Sequence, residues 1–440
     1  MNEMSSQGHE SKTIRVNMLA RVEGEGALHI DIKDGDIKNV QLNIFEPPRF
    51  FEAFLEGRHY SEVSDIVARI CGICPVAYQM SAVHALEKLF EINIDPQVRK
   101  LRRLLYCGEW IESHALHIYM LQAPDFLGLH DALELAKSNP DIVKRGLRLK
   151  KIGDEILKTL GGRAVHPVSV RVGGFSKVPS KKVLNGLLEE LKWAREAAIE
   201  TLQWTTTLDF PDFELPYTFV ALSHQDEYPF NEGEIAVSGA AGKAQYAVSD
   251  FEQHFKESHV QHSHALHCLY HDQPYLVGPL ARLNINADKL SANTKKTLDD
   301  TGLSLPFTNP FKGIVARAVE LLECVEEAIS IIEDYEVPAS PYAEYEVKAG
   351  ECMAATEAPR GLLYHHYKVN AEGMIESAKI VPPTSQNQTR MEADMSVLLP
   401  SIQHQDESEI AFACEKVIRC YDPCISCATH FLKLDINRSS

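Results

Sequence analysis

Two short segments carry the residues best suited to chemistry. Cys71-Gly72-Ile73-Cys74 and Cys424-Ile425-Ser426-Cys427 are each a Cys-x-x-Cys pair. Two intervening residues let both sulfurs turn to one point, so each pair can chelate a metal. The pairs stand 350 residues apart and act together only if the fold joins both ends of the chain. Three chemistries suit four thiols. Structural zinc takes four cysteines, but its pairs usually sit close together in a small module. A thioredoxin-like redox site needs its pair at a helix start in a small βαβ unit, and that context is missing. The third is a redox-active metal of soft or borderline character, since four thiolates can bind nickel while two bridge to a second metal. The other six cysteines, Cys107, Cys268, Cys324, Cys352, Cys414 and Cys420, read as small buried hydrophobes.

The segments around these pairs are more specific than the pairs. Arg69-Ile70-Cys71-Gly72-Ile73-Cys74 and Asp422-Pro423-Cys424-Ile425-Ser426-Cys427-Ala428-Thr429-His430 resemble the two signature segments of nickel–iron hydrogenase large subunits. Their order and their places at opposite chain ends match, and similar blocks fill the space between. The length and the Cys74-Pro75-Val76 run resemble the soluble, multi-subunit group that couples hydrogen to NAD(P) or similar carriers.

The resemblance implies a ligand set. Cys71, Cys74, Cys424 and Cys427 would bind nickel, and Cys74 and Cys427 would also bridge to an iron that carries cyanide and carbonyl. Ala20-Arg21-Val22-Glu23-Gly24-Glu25 resembles the family's N-terminal block and makes Glu23 the proton relay. A carboxyl in an apolar pocket would have the raised pKa such a relay needs. Glu357-Ala358-Pro359-Arg360-Gly361 resembles the segment that hangs an arginine over the open metal position. Arg360 would orient H2, and Cys424 would compete with it as the proton acceptor, since free arginine keeps its proton to a pKa above about 12. Asp422 would bond that arginine or the groups around the metal. Pro383 and Thr384 would lie near the diatomic ligands, in a turn at Pro382-Pro383. His430 would become the C-terminus after an endopeptidase cut and would bind Mg(2+) with Glu52. Without the resemblance, Glu23 reads as a turn carboxylate, Arg360 as an ion-pair partner and Glu52 as a helix-face acid.

Two positions depart from the family pattern. Tyr78 stands where a histidine usually bonds a bridging cysteine. Ser113-His114 stands where the membrane-bound subgroup has an aspartate before its histidine. Both changes tune the metals rather than hold them. His114 and His117 share a helix face and read as core histidines more readily than as a metal pair of their own.

These residues need elements to carry them. Residues 13–46 alternate apolar and polar side chains and predict a hairpin with Asp34-Gly35 at its turn. A second hairpin is predicted from Leu363–Asn370 and Met374–Val381. Helical spacing runs from Asp95-Pro96 to a stop at Pro124, over Val183–Leu208, over Ile314–Tyr335, and over Ser408–Arg419 into the second cysteine pair. The stretch Ser223–Tyr275 yields no clear element. The expected fold is α+β: a long-helix bundle with small antiparallel hairpins, the chain ends meeting at a buried metal. Its expected segments are 1–65, 66–345, 346–390 and 391–440, the last including a removable tail at 431–440.

Bulk properties exclude several classes. The net charge of −18 disfavours nucleic acid as a partner. No apolar run is long enough to span a membrane, and residues 1–12 lack the apolar core of a signal peptide. A cytoplasmic enzyme is expected. With no further cysteine cluster of ferredoxin type and no Gly-x-Gly-x-x-Gly fingerprint, electrons should leave through an iron–sulfur small subunit, with flavin and NAD(P) on further subunits. A hydrogen-sensing subunit with the same metal site is the alternative. A structural relative without the thiolates is excluded by the four cysteines.

Overall fold

Apolar side chains at Ile14, Leu28, Ile30, Ile32, Leu42 and Ile44 bury one face of the first sheet. In the computed structural model, which describes residues 11–33 and 36–429, this sheet is antiparallel, with strands Ser11–Val16, Gly26–Lys33 and Asp36–Ile44. The last two strands are the predicted hairpin; its Asp34-Gly35 turn lies outside the described residues. The second predicted hairpin forms from Gly361–Val369 and Ile375–Val381. A third strand, Gly350–Ala358, pairs along its far edge and was not read from the sequence.

The middle is helical, and the element boundaries have local causes. Asp95 accepts the Gln97 amide at 2.7 Å, and Pro96 occupies the first turn, where its missing N–H costs nothing. That helix, Pro96–Leu116, does not stop at Pro124. It widens into a π-helical stretch, His117–Gln122, and resumes as Ala123–Phe126 with Pro124 in its first turn. The expected helix over 183–208 is two, Lys181–Asn185 and Leu188–Thr205, parted at Gly186. Gly313–Glu333 and Glu407–Cys420 match their expected spans closely, the second capped by Asp406. Two long helices escaped the reading, Pro75–Leu89 and Pro140–Gly161.

Pro96–Leu116 packs on Pro140–Gly161 and on Gly313–Glu333, which also carries Leu188–Thr205. The first crossing is close because Gly108 and Gly153 face each other. A Cβ on Gly153 would stand 2.5 Å from the Gly108 carbonyl oxygen. The unassigned stretch folds as strands: a meander of Thr218–Ser223, Glu234–Gly239 and Ala244–Tyr246, and a hairpin of Phe255–Val260 and Ser263–Tyr270. The architecture is the expected mix of helices and small antiparallel sheets. No helix among the described residues is long and apolar enough to cross a membrane.

Candidate metal centre

The early thiol pair is set by a helix start. Cys71 follows a 3-10 turn, Ala68–Ile70, and Cys74 is the N-cap of Pro75–Leu89. The helix's exposed N–H groups do not go unpaired. Val76 and Ala77 donate to the buried Glu109 carboxylate at 2.6 and 3.2 Å. Helix N-termini favour negative charge, and here the Glu109 carboxylate takes that place.

The late pair is set by three other elements. Cys424 caps the short helix Ile425–Ala428. Its amide donates to Thr384 Oγ1 at 2.9 Å, and the Ile425 amide donates to the Glu23 carbonyl at 3.0 Å. Asp422, just before, has φ of 51°, a left-handed conformation that Asp tolerates better than most residues. Pro383 is not in a turn. It opens the twenty-residue helix Pro383–Ile402, where proline fits the first position.

The two pairs converge. Sγ of Cys71 lies 3.4 Å from Sγ of Cys424, and Sγ of Cys74 lies 3.7 Å from Sγ of Cys427. All four sulfurs lie within 4.8 Å of one another, and all four cysteines are buried. So many buried thiols cannot all ionise unaided. Burial and the neighbouring sulfurs push Cys424 well up, whereas thiol donors from Cys424, Cys427 and Cys74 hold Cys71 well down. A thiophilic cation would relieve that conflict, and the donor set fits a soft or borderline metal centre.

Arg360 and Asp422 close one side. Nε of Arg360 donates to the Asp422 carbonyl at 2.7 Å, and a terminal nitrogen to its carboxylate at 3.1 Å. The other terminal nitrogen, Nη1, is buried with no hydrogen-bond partner. Burial lowers the guanidinium's pKa, but Asp422 and the thiols outweigh it and hold Arg360 well above its usual range. The backbone behind Arg360 is tightly held. Gly278, at φ 117°, lets the Arg360 carbonyl approach where a Cβ would come within 2.8 Å.

Glu23 closes another side, with Oε2 at 3.0 Å from the Cys424 sulfur. Its surroundings are not apolar, as the sequence reading expected. It is partly exposed and accepts the Ser426 amide at 3.1 Å and the Ser426 hydroxyl at 2.5 Å. The same Ser426 hydroxyl lies 2.9 Å from Glu46, so its one proton can serve either carboxylate.

Tyr78 is fully buried against the late pair. Burial, then the Cys427 and Cys74 sulfurs, push its phenol well up, and its hydroxyl has no nitrogen or oxygen partner. His114 Nε2 is 2.9 Å from Glu320, and His117 Nε2 donates to the Arg419 carbonyl at 2.8 Å. Both histidines are thus held in the core, with Ser113 buried beside them. Glu52 accepts the Ile380 amide at 2.7 Å. His430, its expected partner, lies outside the described residues.

Three contributors were not read from the sequence. Glu109 serves one helix start, Ser426 links Glu23 to Glu46, and Arg49 ties both pairs. Its guanidinium donates to the carbonyls of Ile70, at 2.5 Å, and of Ser426, while its amide donates to Thr429 at 2.6 Å. Glu109 alone left a signal, an acid on an otherwise apolar helix face.

Comparison with known proteins agrees with this geometry. The family model described as nickel-dependent hydrogenase matches residues 49–145 and 226–430. The alpha subunits of sulfhydrogenases 1 and 2 of Pyrococcus furiosus are 35% and 32% identical, each aligned over 96% of this chain and over 98% and 100% of their own. A solved chain of an NAD+-reducing [NiFe]-hydrogenase in the H2-reduced state superposes with a TM-score of 0.85 at 26% identity, covering 95% of this chain and 99% of that one.

Proposed function

This chain belongs to the nickel-dependent hydrogenase family, and from that premise we propose that it catalyses the reversible heterolytic cleavage of H2 to protons and electrons. One observation carries the reading: two distant Cys-x-x-Cys pairs place four buried sulfurs within 4.8 Å of one another. Cys71, Cys74, Cys424 and Cys427 would hold the nickel, and Cys74 and Cys427, whose sulfurs are 3.7 Å apart, would also hold the iron, whose cyanide and carbonyl ligands the sequence cannot supply. When bound, this centre supplies the redox-active Lewis acid at which H2 is polarised.

The chain's own residues handle the proton. Arg360, held as a cation beside Asp422, is a poor base and serves to orient H2 through its unpartnered nitrogen. The proton passes to the Cys424 sulfur and on to Glu23, 3.0 Å away. Ser426 and Glu46 continue the contacts outward. Thr384 fixes the Cys424 backbone, and the Tyr78 phenol stands beside Cys427, where the family usually has a histidine. His114, on the helix that carries Glu109, ties it to Gly313–Glu333 through Glu320, with Ser113 buried beside it.

Electrons leave through an iron–sulfur small subunit. The similarity to a chain of an NAD+-reducing enzyme supports NAD(P) as the eventual acceptor, through further partner subunits in the cytoplasm. A magnesium ion on Glu52 and His430, and an endopeptidase cut after His430, complete the reading. The contact between Arg49 and Thr429 supports the ion's place, because it brings the end of the described chain to the segment bearing Glu52.

The test is metal analysis of the isolated enzyme joined to infrared spectroscopy. Nickel and iron in equal amounts, with cyanide and carbonyl bands, are expected. Zinc alone, without those bands, would refute the assignment.

A further inference from the structure

Away from the thiol centre, two histidines and a glutamate converge. His262 lies in the turn joining Phe255–Val260 to Ser263–Tyr270, His267 on the second of these strands, and Glu392 on Pro383–Ile402. One nitrogen of each imidazole and one carboxylate oxygen lie within 4.8 Å of one another. Nε2 of His262 is 2.9 Å from Oε1 of Glu392, and Nδ1 of His267 is 3.9 Å from Oε2. His267 is only 6% exposed, yet its Nε2 has no hydrogen-bond partner. A buried polar atom left so is costly unless something else meets the group's needs.

The electrostatics also suit a cation. Burial, then the neighbouring His262, hold the His267 pKa down to about 4, so the ring is neutral at pH 7 and has a lone pair to give. Glu392 takes the Leu42 amide at 2.8 Å on Oε1. A second cluster, His224, Glu227 and Glu232, differs in kind. Arg99 bonds both of its carboxylates and Arg103 bonds Glu227, so cationic side chains already fill it.

We propose that His262, His267 and Glu392 bind a borderline divalent cation, with zinc the best fit. Two imidazole nitrogens and one carboxylate oxygen are a common zinc donor set, with water in the fourth position. Zinc–ligand bonds of about 2.0–2.1 Å in a tetrahedral site set the ligand atoms roughly 3.3 Å apart, so His262 and Glu392 must part slightly from 2.9 Å while His267 closes in from 3.9 Å. His262 sits in a two-residue turn and can make that adjustment. The ion would fasten the hairpin to Pro383–Ile402. Two turns away, roughly 12 Å along that helix, Thr384 holds the Cys424 amide. The ion would therefore brace the wall behind the thiol centre without touching it.

The test uses the assembled, nickel-loaded enzyme, stripped with a mild chelator, equilibrated with zinc chloride and desalted. One additional zinc per chain is expected. Its X-ray absorption should give nitrogen and oxygen neighbours near about 2.0–2.1 Å and none of the sulfur distances near about 2.3 Å. His262→Ala and Glu392→Gln should each weaken binding at least about tenfold, with nickel content unchanged, since each removes one of three protein ligands. If Glu392→Gln does not fold, His262→Ala decides alone, because its ring lies at the turn. Absence of the extra zinc, zinc bound to sulfur, or equal binding by wild type and His262→Ala would overturn the site.

Discussion

At the scale of single residues, the arrangement around Cys424 separates holding metal from moving protons. The sulfur is 3.0 Å from Glu23, whose carboxylate also takes both donors of Ser426. Glu23→Gln keeps the size and an acceptor oxygen but cannot accept and release a proton. We expect H2 turnover and exchange with solvent deuterium to fall by about 10²-fold or more, the usual worth of a general acid–base group. Nickel and iron content should stay at the wild-type level. Retention of full exchange activity would remove Glu23 from the proton route. Glu23, Arg360, Asp422 and the four cysteines were legible in the sequence because each sits in a short motif. Ser426 was in view inside the second motif, but its role depends on Glu46, which is 380 residues away in the chain. Arg49 escaped because it works through backbone carbonyls, which have no sequence identity.

At the scale of elements, the corner that presents Arg360 is fixed from beneath by a buried arginine. Arg282 donates to Glu320 and Glu357 and to the carbonyls of Ala358 and Pro359, the two residues before Arg360. It also stacks on Trp110 at 4.1 Å. Arg282→Met leaves two buried carboxylates without their cation and should cost about 3–5 kcal/mol, seen as a lower melting temperature. Arg282→Lys keeps the charge but not the fork, so it cannot hold all four partners. It should fold yet lose turnover, and full turnover in that variant would show that the corner needs no such support. The same network has a pH signature. Burial raises Glu320, but Arg282 and then His114 outweigh it and hold the carboxyl down to about 2. Its stabilisation is complete above the unfolded value of 4.5 and is lost as pH falls toward 2. Burial pushes Glu357 up to about 7 against the pull of Arg282. For Glu357 the folded state binds more protons between 4.5 and 7, so stability declines as pH rises through that window. Glu357→Gln should flatten that decline, by on the order of 3 kcal/mol across the window. Melting temperatures across pH 5 to 7 would check it, and an unchanged slope would refute it. None of this was visible in the sequence. Helical periodicity located Gly313–Glu333 but could not say that Glu320 on it meets an arginine 38 residues earlier.

At the scale of the whole molecule, the site exists because the ends of the chain are sewn together. The two pairs are distant in sequence, and neither can close a four-sulfur centre alone. The sequence implied that meeting but not its stitching. The Glu23 carbonyl takes the Ile425 amide, and Arg419 binds both Asp125 and the Ala20 carbonyl. Arg49 is the most direct stitch, since one guanidinium reaches the carbonyl before Cys71 and the carbonyl between Cys424 and Cys427. Arg49→Met keeps the length of the side chain and removes these donors. Two hydrogen bonds from a charged group, at about 1.5–3 kcal/mol each, are lost where they join the halves of the centre. Metal binding and folding are coupled, so a site that is less well assembled before metal enters should load less metal. The expected result is a severalfold drop in nickel per chain and a lower melting temperature for the metal-free chain. The metal-loaded fraction should keep near-normal turnover per nickel, because Arg49 touches no sulfur in the described contacts. Wild-type nickel loading with an unchanged metal-free melting temperature would mean that the ends meet without this clasp, and the remaining stitches would have to hold the centre together.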